Sequence, residues 1–356
     1  MRTVDPVGIT SATLWLPHQV ETAESAVLEG RLRGRQAEDL GHRSVPVAGV
    51  DAPPDMAVCA ARSALKEAEL DAAELSVVAH AWMYYQGHDL WSPAHYIARE
   101  LGALDAFPVG VQQVCNGGAA ALELIAARLS APAGTGSTRW GLVSTADRFA
   151  EPGFDRWASD YGVAYGDAGT AVVLSAPAGP GDALLLRSIA TVAAPGLEAM
   201  HRGADPFGAA ARTHRERVDM RATKRAYLHE HGSEQFRNIN EHSIRTVVAN
   251  ALRDACLAQD DPCLRYAFLP RFGRKTLAES WIPVLGAQLT AELVDLGRTT
   301  GHLGAGDAAA GLADLIRTRV LEPGEAALVF SAGAGFTWSC LVVQAPRHGT
   351  NPSHRS

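Results

Sequence analysis

One of the 5 cysteines in this chain stands in surroundings that suit a nucleophile. Cys115 lies in the stretch "QVCNGGAAALELIAARL", directly before a predicted helix rich in alanine and leucine. A thiol at the first turn of a helix lies near unpaired backbone N–H groups and the positive end of the helix dipole, which favours the thiolate form. Small neighbouring residues would let a substrate carbonyl reach the sulfur. The pattern therefore predicts a nucleophile, although Cys115 taken alone could also be an inert buried cysteine.

The second half of the chain offers a base and an acid that could serve this cysteine. Among 13 histidines, His302 lies in a small-residue turn, "TTGHLGAGD", and Asp307 follows it at the start of another alanine-rich helix. A thiol, an imidazole and a carboxylate can act as a set in which the carboxylate fixes the tautomer of the ring. Taken singly, His302 could bond the backbone of its turn and Asp307 could cap its helix.

The two halves of the sequence follow a similar pattern. Strands alternate with helices in each half, which favours an α/β fold. The turn and helix at "CNGGAAALELIAARL" resemble those at "AGDAAAGLADLIRTRV". A duplicated α/β unit brings two such helix starts together, which would place His302 and Asp307 opposite Cys115. We therefore predict two halves, residues 1–178 and 179–346, followed by a disordered tail at residues 347–356.

Composition and charge exclude several classes of protein. The chain has 356 residues, 47% of them hydrophobic and 20% charged, as expected of a globular enzyme. A formal net charge of -7 argues against a nucleic-acid partner. Without a long apolar run or a signal-peptide core, a cytoplasmic protein that contacts no membrane is expected. We expect no bound cofactor and no metal, and the scattered cysteines, without C-x-x-C spacing, predict neither disulfides nor a zinc site.

Two further stretches allow more than one interpretation. The segment at about residues 195–240 contains "RTHRERVDMRATKR", with six basic and two acidic residues, which is either a solvated helix face or a surface for phosphate or an acidic carrier protein. The stretch "WMYYQGHDLWSP" could form an aromatic wall of a binding site, or belong to a core or a dimer contact. Its aromatic residues are Trp82, Tyr84, Tyr85 and Trp91.

Four separated motifs resemble one enzyme family. The stretches "VQQVCNGGAAALEL", "YGDAGTAVVL", "TTGHLGAGDAAAGL" and "LVFSAGAGFTWSCLVV" follow the order and spacing of the ketoacyl-ACP synthase III family over nearly the whole chain. The resemblance implies a thiolase fold with a duplicated, five-layered α/β/α/β/α architecture and a homodimer. It also implies acylation of Cys115 by a thioester of coenzyme A or an acyl carrier protein. Asp167, in "YGDAGTA", is interpreted as a turn former rather than a catalyst.

Two positions depart from ordinary members of the family. Those members have a histidine in a "PHQAN"-like strand end and an asparagine in a "GNT" turn, which together stabilise the enolate formed when malonyl-ACP loses carbon dioxide. Here the first position is Arg271, in "LPRFGRK", and the second is His302. The set Cys115, His302 and Asp307 instead resembles a branch of the family from antibiotic pathways that transfers acyl groups, although some of its members still condense.

The resemblance also assigns residues that would hold the substrate. The oxyanion would be bound by the backbone N–H groups of Cys115 and Ala334, with Gly333 and Gly335 as neighbouring alternatives. His201 would face the substrate, unless it is a surface-loop histidine. The residues expected to contact the substrate are therefore Asn116, His201, Arg271 and Gly335.

These features together predict a ping-pong acyltransferase of secondary metabolism. Cys115 would take an acyl group from an acyl-CoA or acyl-ACP, and His302 would deprotonate a carrier-protein thiol, a hydroxyl or an amine as it accepts the group. Asparagine at position 302 could not do this. One alternative is a decarboxylative condensing enzyme that starts a polyketide chain from malonyl-ACP, with His302 or His201 stabilising the enolate. Another is a partner subunit without catalytic activity.

Overall fold

The computed structural model describes residues 2–131 and 138–347 of the chain, so the predicted tail from residue 348 onward lies outside the described residues. The strands are β1 (Arg2–Trp15), β2 (Gln19–Thr22), β3 (Ser44–Val47), β4 (Leu75–Ala81), β5 (Phe107–Val111), β6 (Arg139–Asp147), β7 (Ala168–Ala176), β8 (Leu184–Ala193), β9 (Leu264–Phe268), β10 (Glu292–Val294), β11 (Ala326–Gly333) and β12 (Thr337–Gln344). The helices are α1 (Ala23–Leu28), α2 (Gly34–Leu40), α3 (Pro53–Glu67), α4 (Pro93–Leu101), α5 (Gly117–Ser130), α6 (Ala199–Arg202), α7 (Met220–His231), α8 (Ser233–Ala255), α9 (Arg274–Thr276), α10 (Ile282–Gly286) and α11 (Asp307–Thr318).

Ten of the strands form one mixed sheet. The strands on either side of its centre are arranged in corresponding order. From the centre outward, one side runs β1-β7-β6-β4-β5 and the other runs β8-β12-β11-β9-β10. On each side the three outer strands are parallel to one another, and the remaining pairs are antiparallel. The boundary predicted between residues 178 and 179 falls in the connection from β7 to β8. The division into two domains stays a prediction.

Helices cover both faces of each side of the sheet and create five layers. Successive residues of a strand point to opposite faces. On β11, Ala327 and Val329 therefore pack in the central core with α5 and α11, whereas Leu328 and Phe330 pack on the opposite face with α8. The other half of the sheet likewise contacts α5 and α11 on one face and α3 and α4 on the other. The predicted five-layered α/β architecture is confirmed.

The central layer brings the starts of α5 and α11 together. Small residues make this possible, because a Cβ atom built on Gly118 would lie 2.4 Å from the carbonyl oxygen of Ala305. The turn that precedes α5 therefore packs directly against the turn that precedes α11. These are the two turns that the sequence repeat predicted to face each other.

No helix in the two described ranges has the length and apolarity needed to cross a membrane.

Asp167 is fully buried and accepts backbone N–H bonds of 2.8 Å from both Ala48 and Phe149. It also pairs with Arg156 at 3.0 Å, so its carboxylate ties three segments together.

Candidate active site

Cys115 lies in a strained turn at the start of α5. A single 3-10 turn, Val114–Asn116, connects β5 to the helix, and Val114 has a φ of +47°, which a β-branched residue rarely adopts. The Cys115 side chain is 8% exposed and its sulfur lies 3.7 Å from the sulfur of Met83. It lines a cavity of about 430 Å³, called here the central cavity.

His302 and Asp307 are in direct contact. Nδ1 of His302 lies 2.8 Å from Oδ2 of Asp307, and both side chains are almost completely buried. The other oxygen of Asp307 accepts the backbone N–H of Leu303 at 2.9 Å, and Oδ2 also accepts the N–H of Arg271 at 3.0 Å. Three donors thus fix the carboxylate, and the carboxylate fixes the orientation of the ring.

Nε2 of His302 is left for chemistry in the cavity. Among the described residues it meets no nitrogen or oxygen partner, and the Cys115 side chain interacts with the His302 ring at the cavity that both residues line. Backbone bonds hold the residue in place, since its N–H donates to Ala164 and its carbonyl accepts from Gly166. Rings of Tyr165 and Phe272 pack against the imidazole at 5.2 and 5.6 Å between centroids.

The buried side chains of this cluster shift one another's pKa values. Burial by itself lowers the pKa of His302, but the negative charges of Asp307 and Cys115 outweigh burial and raise that pKa well above its ordinary value. Burial by itself raises the pKa of Asp307, and His302, Arg271 and the N–H of Leu303 together hold that pKa below its usual range. The arrangement therefore favours the imidazolium form of His302 beside the ionised Asp307.

The end of β11 closes the site on the other side of the cysteine. A Cβ atom built on Gly333 would lie 2.6 Å from the backbone nitrogen of Asn116 and 3.1 Å from that of Cys115. Glycine at position 333 therefore allows the two backbones to meet. Gly333 and Ala334 both line the central cavity, next to the cysteine.

Of the four residues expected to contact the substrate, His201 lines the central cavity, whereas Asn116, Arg271 and Gly335 are not among its lining residues. The amide nitrogen of Asn116 donates to Ser339 Oγ at 2.8 Å, away from the cavity. Burial, with the ammonium of Lys224 as the second cause, lowers the pKa of His201 to about 3. His201 is therefore neutral at neutral pH.

Arg271 has a different position from the one expected. Its guanidinium donates to the carbonyl oxygen of Leu296 and to Thr300 Oγ1, both at 2.8 Å, and forms a buried ion pair with Asp314. All of these partners lie on the segment that leads into α11 or on that helix. The structure therefore places the Arg271 side chain behind Asp307 and outside the cavity lining, and its contact with the substrate stays a prediction.

The aromatic lining of the cavity also differs from the one considered. Phe236, Phe272, Phe336 and Trp338 line it together with Tyr161 and Tyr165. None of these belongs to the stretch from Trp82 to Trp91, in which Tyr85 is 52% exposed and Trp91 is 39% exposed. The residues that do line it lie on elements far apart in the chain, so no local pattern identified them.

Asp147 supports the site without lining it, and sequence reasoning missed it. This fully buried carboxylate accepts N–H bonds from Met83 at 2.9 Å, Tyr84 at 2.8 Å and Ala305 at 2.9 Å. It thus joins the loop that carries Met83 to the turn before α11. Burial raises the pKa of Asp147 to about 7, although the three N–H groups favour the carboxylate. The signal available in the sequence was an acidic residue, Asp147, at the end of an apolar strand.

A second charged group, on the wall of the cavity, was also missed. Lys224 of α7 forms an ion pair with Asp160, and Asp160 accepts the hydroxyl hydrogen of Tyr165 at 2.9 Å. All three residues line the central cavity. In the sequence Lys224 is one member of a basic run, and nothing near Asp160 indicates its partner.

The site brings together groups of the kind that acyl-thioester chemistry uses. A cysteine, a histidine held by a carboxylate, and backbone N–H groups at a helix start meet at one largely apolar cavity. Among the described residues, no group of three or more His, Cys, Asp and Glu side chains is arranged to hold a metal ion.

Comparisons with known proteins agree with the fold. Residues 266–345 match the family described as 3-oxoacyl-[acyl-carrier-protein] synthase III, C terminal. The solved structure of ChlB3, described as an acyltransferase, is 31% identical with a TM-score of 0.85, over 96% of this chain and 98% of that one. A search among curated proteins finds no significant match.

Two more distant structures share the fold. The 3-oxoacyl-[acyl-carrier-protein] synthase III of Aquifex aeolicus VF5 is 18% identical with a TM-score of 0.74, over 95% of this chain and 99% of that one. AbyA1, a tetronic acid condensing enzyme, is 21% identical with a TM-score of 0.70, over 95% of this chain and 100% of that one.

Proposed function

Because the chain belongs to the ketoacyl-ACP synthase III-like family of thiolase-fold enzymes, we propose that it is a ping-pong acyltransferase of secondary metabolism with Cys115 as nucleophile. The observation that carries the proposal is the contact between His302 and Asp307 beside the cavity of Cys115. A histidine fixed by a carboxylate can take and return a proton during acyl transfer. The likeness to ChlB3, an acyltransferase, supports the same reaction.

In the first half-reaction, Cys115 attacks the carbonyl of a donor thioester. Its thiolate is paired with the imidazolium of His302, whose raised pKa favours that ion pair. The backbone N–H groups of Cys115 and Ala334 receive the oxyanion of the tetrahedral intermediate. The intermediate collapses to an acyl-enzyme, and the donor thiol leaves with the proton from His302.

In the second half-reaction, the acceptor enters and His302 acts as the base. Acylation removes the negative charge of the Cys115 sulfur, which is one of the two charges that raise the pKa of His302. The neutral imidazole then becomes accessible, and Nε2 can remove the proton of an attacking hydroxyl, thiol or amine. Asp307 remains ionised and stabilises the imidazolium that forms.

The position of Arg271 supports transfer over decarboxylative condensation. Arg271 stands where ordinary family members have the enolate-stabilising histidine, and its guanidinium is held by Asp314 and Thr300 outside the cavity lining. Of these two positions, 271 and 302, only residue 302 is a histidine in this chain. This residue is a proton acceptor rather than the amide found in condensing members.

Condensation remains the second candidate because of His201. This neutral histidine lines the cavity beside Phe336, at 5.0 Å between ring centroids, and could donate a hydrogen bond to an enolate. The likeness in fold to AbyA1, a condensing enzyme, is compatible with it. Release of carbon dioxide and a β-ketoacyl product from malonyl-ACP would favour this candidate.

The donor is proposed to be a thioester of coenzyme A or an acyl carrier protein. A neighbouring cavity of about 300 Å³, called here the side cavity, shares Tyr161, Gly162, Thr276 and Glu279 with the central cavity. It extends to Arg221 and Lys275. A pantetheine arm that passes through it would bring its phosphate towards basic groups.

The protein is proposed to be a homodimer. Strand β5 forms one edge of the sheet, and an exposed edge strand is a template for pairing with another chain. Phe107 on that strand is 54% exposed, and Leu124, on the adjacent helix α5, is 57% exposed. A two-fold pairing of the β5 edges would cover both residues.

The proposal is tested by intact-protein mass spectrometry. The wild-type protein is mixed with a panel of acyl-CoA and acyl-ACP donors and then chased with candidate acceptors. A stable mass increase that maps to Cys115 and disappears on the chase is expected. The Cys115→Ala variant should gain no acyl group, whereas Cys59→Ala, which removes an exposed thiol on α3, should behave as wild type. Absence of any adduct would leave the non-catalytic subunit as the remaining interpretation.

A further inference from the structure

The proposed reaction makes no use of the ion pair on the wall of the central cavity. Lys224 and Asp160 both line that cavity, 64 positions apart in the chain. Asp160 is only 5% exposed and also accepts the hydroxyl of Tyr165. Surface ion pairs contribute little to stability, but a buried pair inside a binding cavity is costly to desolvate and calls for another explanation.

Lys224 has hydrogen-bonding capacity to spare. An ammonium group has three N–H donors, and among the described residues Lys224 makes one hydrogen bond, to Asp160. Burial by itself raises the pKa of Asp160, but Lys224 outweighs it and holds that pKa below its usual range, so the Asp160 carboxylate is ionised. The remaining donors of Lys224 are available to a molecule in the cavity.

Besides Asp160, the neutral His201 is near enough for the Lys224 ammonium to lower its pKa. Many of the other lining residues are apolar, among them Leu228, one helical turn further along α7, and Met200, Phe236 and Phe336. A plain alkyl group bound here would remove water from the ammonium and return no hydrogen bond. A bound group with an oxygen atom would replace that water.

The position of Lys224 relates it to the acyl group rather than to the donor arm. The side cavity proposed for the donor is lined by Arg221 but not by Lys224, which follows one turn later on the same helix. The acyl group stays on Cys115 while the acceptor replaces the donor, so it must occupy the central cavity. Lys224 is paired and Glu279 also lines this cavity, so the local charge does not select an anion.

We infer that Lys224 is a substrate-binding residue whose ammonium donates a hydrogen bond to a hydroxyl or keto oxygen of the acyl group, so that oxygenated acyl thioesters are preferred to plain ones. The inference rests on the proposed function, because it concerns the acyl group that Cys115 carries. The structure assigns Asp160 and Tyr165 the task of holding Lys224 in place.

The test compares thioesters that differ by one oxygen atom. Butyryl-CoA is paired with 3-hydroxybutyryl-CoA and with acetoacetyl-CoA, and benzoyl-CoA with its hydroxybenzoyl analogues. The rate of Cys115 acylation is followed by intact mass. Wild-type protein should prefer an oxygenated partner in at least one pair by about tenfold or more, as one charge-assisted hydrogen bond provides. Lys224→Met should bring that ratio close to one by slowing the oxygenated thioester.

Two further variants separate binding from folding. Arg217→Met removes ion pairs to Glu151 and Asp155 outside the cavity lining and should keep the preference. The double variant Lys224→Met/Asp160→Asn leaves no unpaired buried carboxylate, and should lose the preference even if Lys224→Met alone folds poorly. Equal rates in every pair, or a preference that survives both Lys224 variants, would overturn the inference. Absence of acylation by every thioester would overturn the proposed function itself.

Discussion

Nδ1 of His302 and Oδ2 of Asp307 lie 2.8 Å apart, and the same carboxylate accepts the backbone N–H groups of Leu303 and Arg271. The turn between the two residues therefore folds back on itself, so that the first residue of α11 orients a ring located before the helix begins. This arrangement leaves Nε2 as the ring atom available at the cavity.

Asp307→Asn should impair acyl transfer by about 100- to 10,000-fold, because the amide neither fixes the tautomer nor stabilises the imidazolium. Loss of the carboxylate should also lower the raised pKa of His302. Acylation needs the imidazolium, so the decline of the acylation rate at high pH should begin at a lower pH in the variant. The rate of acyl-enzyme formation as a function of pH measures this.

The control for this variant is Asp55→Asn, which changes an exposed acidic residue in the first turn of α3. It should keep the wild-type pH profile. An unchanged high-pH limb in Asp307→Asn would show that the carboxylate does not act through His302.

Gly333→Ala should slow acylation of Cys115 while the protein stays folded. The new methyl group would lie 2.6 Å from the nitrogen of Asn116, so β11 must move away from the cysteine turn and carry Ala334 with it. Removing one oxyanion donor costs roughly 100- to 1,000-fold in rate. Gly286→Ala is the matched control, because a Cβ there meets nothing within 4 Å. Equal acylation rates in the two variants would refute the role of this strand end.

The protonated form of Asp147 should stabilise the folded protein, and this stabilisation should decrease as pH rises. Its pKa is raised from 3.8 to about 7, so between these values the folded state holds a proton that the unfolded state releases. Folding is then favoured at the acidic end of the window, and the advantage is lost as pH rises through about 7. Urea unfolding at pH values of about 5 and 8 should show this difference in the wild type, and Asp147→Asn should reduce it. Identical pH dependence in both proteins would contradict the assignment.

Phe107→Asp should convert the proposed dimer into a monomer. The charge would be placed on the exposed face of the edge strand β5, where a second chain would otherwise cover the ring. Light scattering coupled to gel filtration should report twice the mass of one chain for the wild type and a single chain for the variant. Leu28→Asp, at an 82% exposed position at the end of α1, should remain dimeric. A wild-type protein that is itself monomeric would refute the proposed dimer.

Local patterns in the sequence were enough to single out the candidate nucleophile, base and acid, whose roles stay predictions. Cys115 precedes a helix start, and His302 and Asp307 share one short turn, so each signal lies within a few neighbouring residues. The repeated turn and helix also predicted that the two sites face each other, as the packing of Gly118 against Ala305 bears out. Alternation of strands and helices predicted the layered α/β fold in the same way.

Single side chains were harder to predict, because their surroundings come from distant parts of the chain. Cys59 and Cys340 both lie in regular elements rich in small and apolar residues, yet Cys59 is exposed on α3 whereas Cys340 is buried on β12. Helical periodicity indicates that a helix has a buried face, but where that face ends depends on the neighbouring elements.

The tertiary structure alone decided what surrounds the central cavity. It turned the side chains of Arg271 and Asn116 away from the lining, and it brought His201 into it. It also paired Lys224 with Asp160 across 64 positions of sequence. Such contacts depend on how helices and strands pack and on the direction in which each side chain leaves its element, which residue spacing along the chain does not encode.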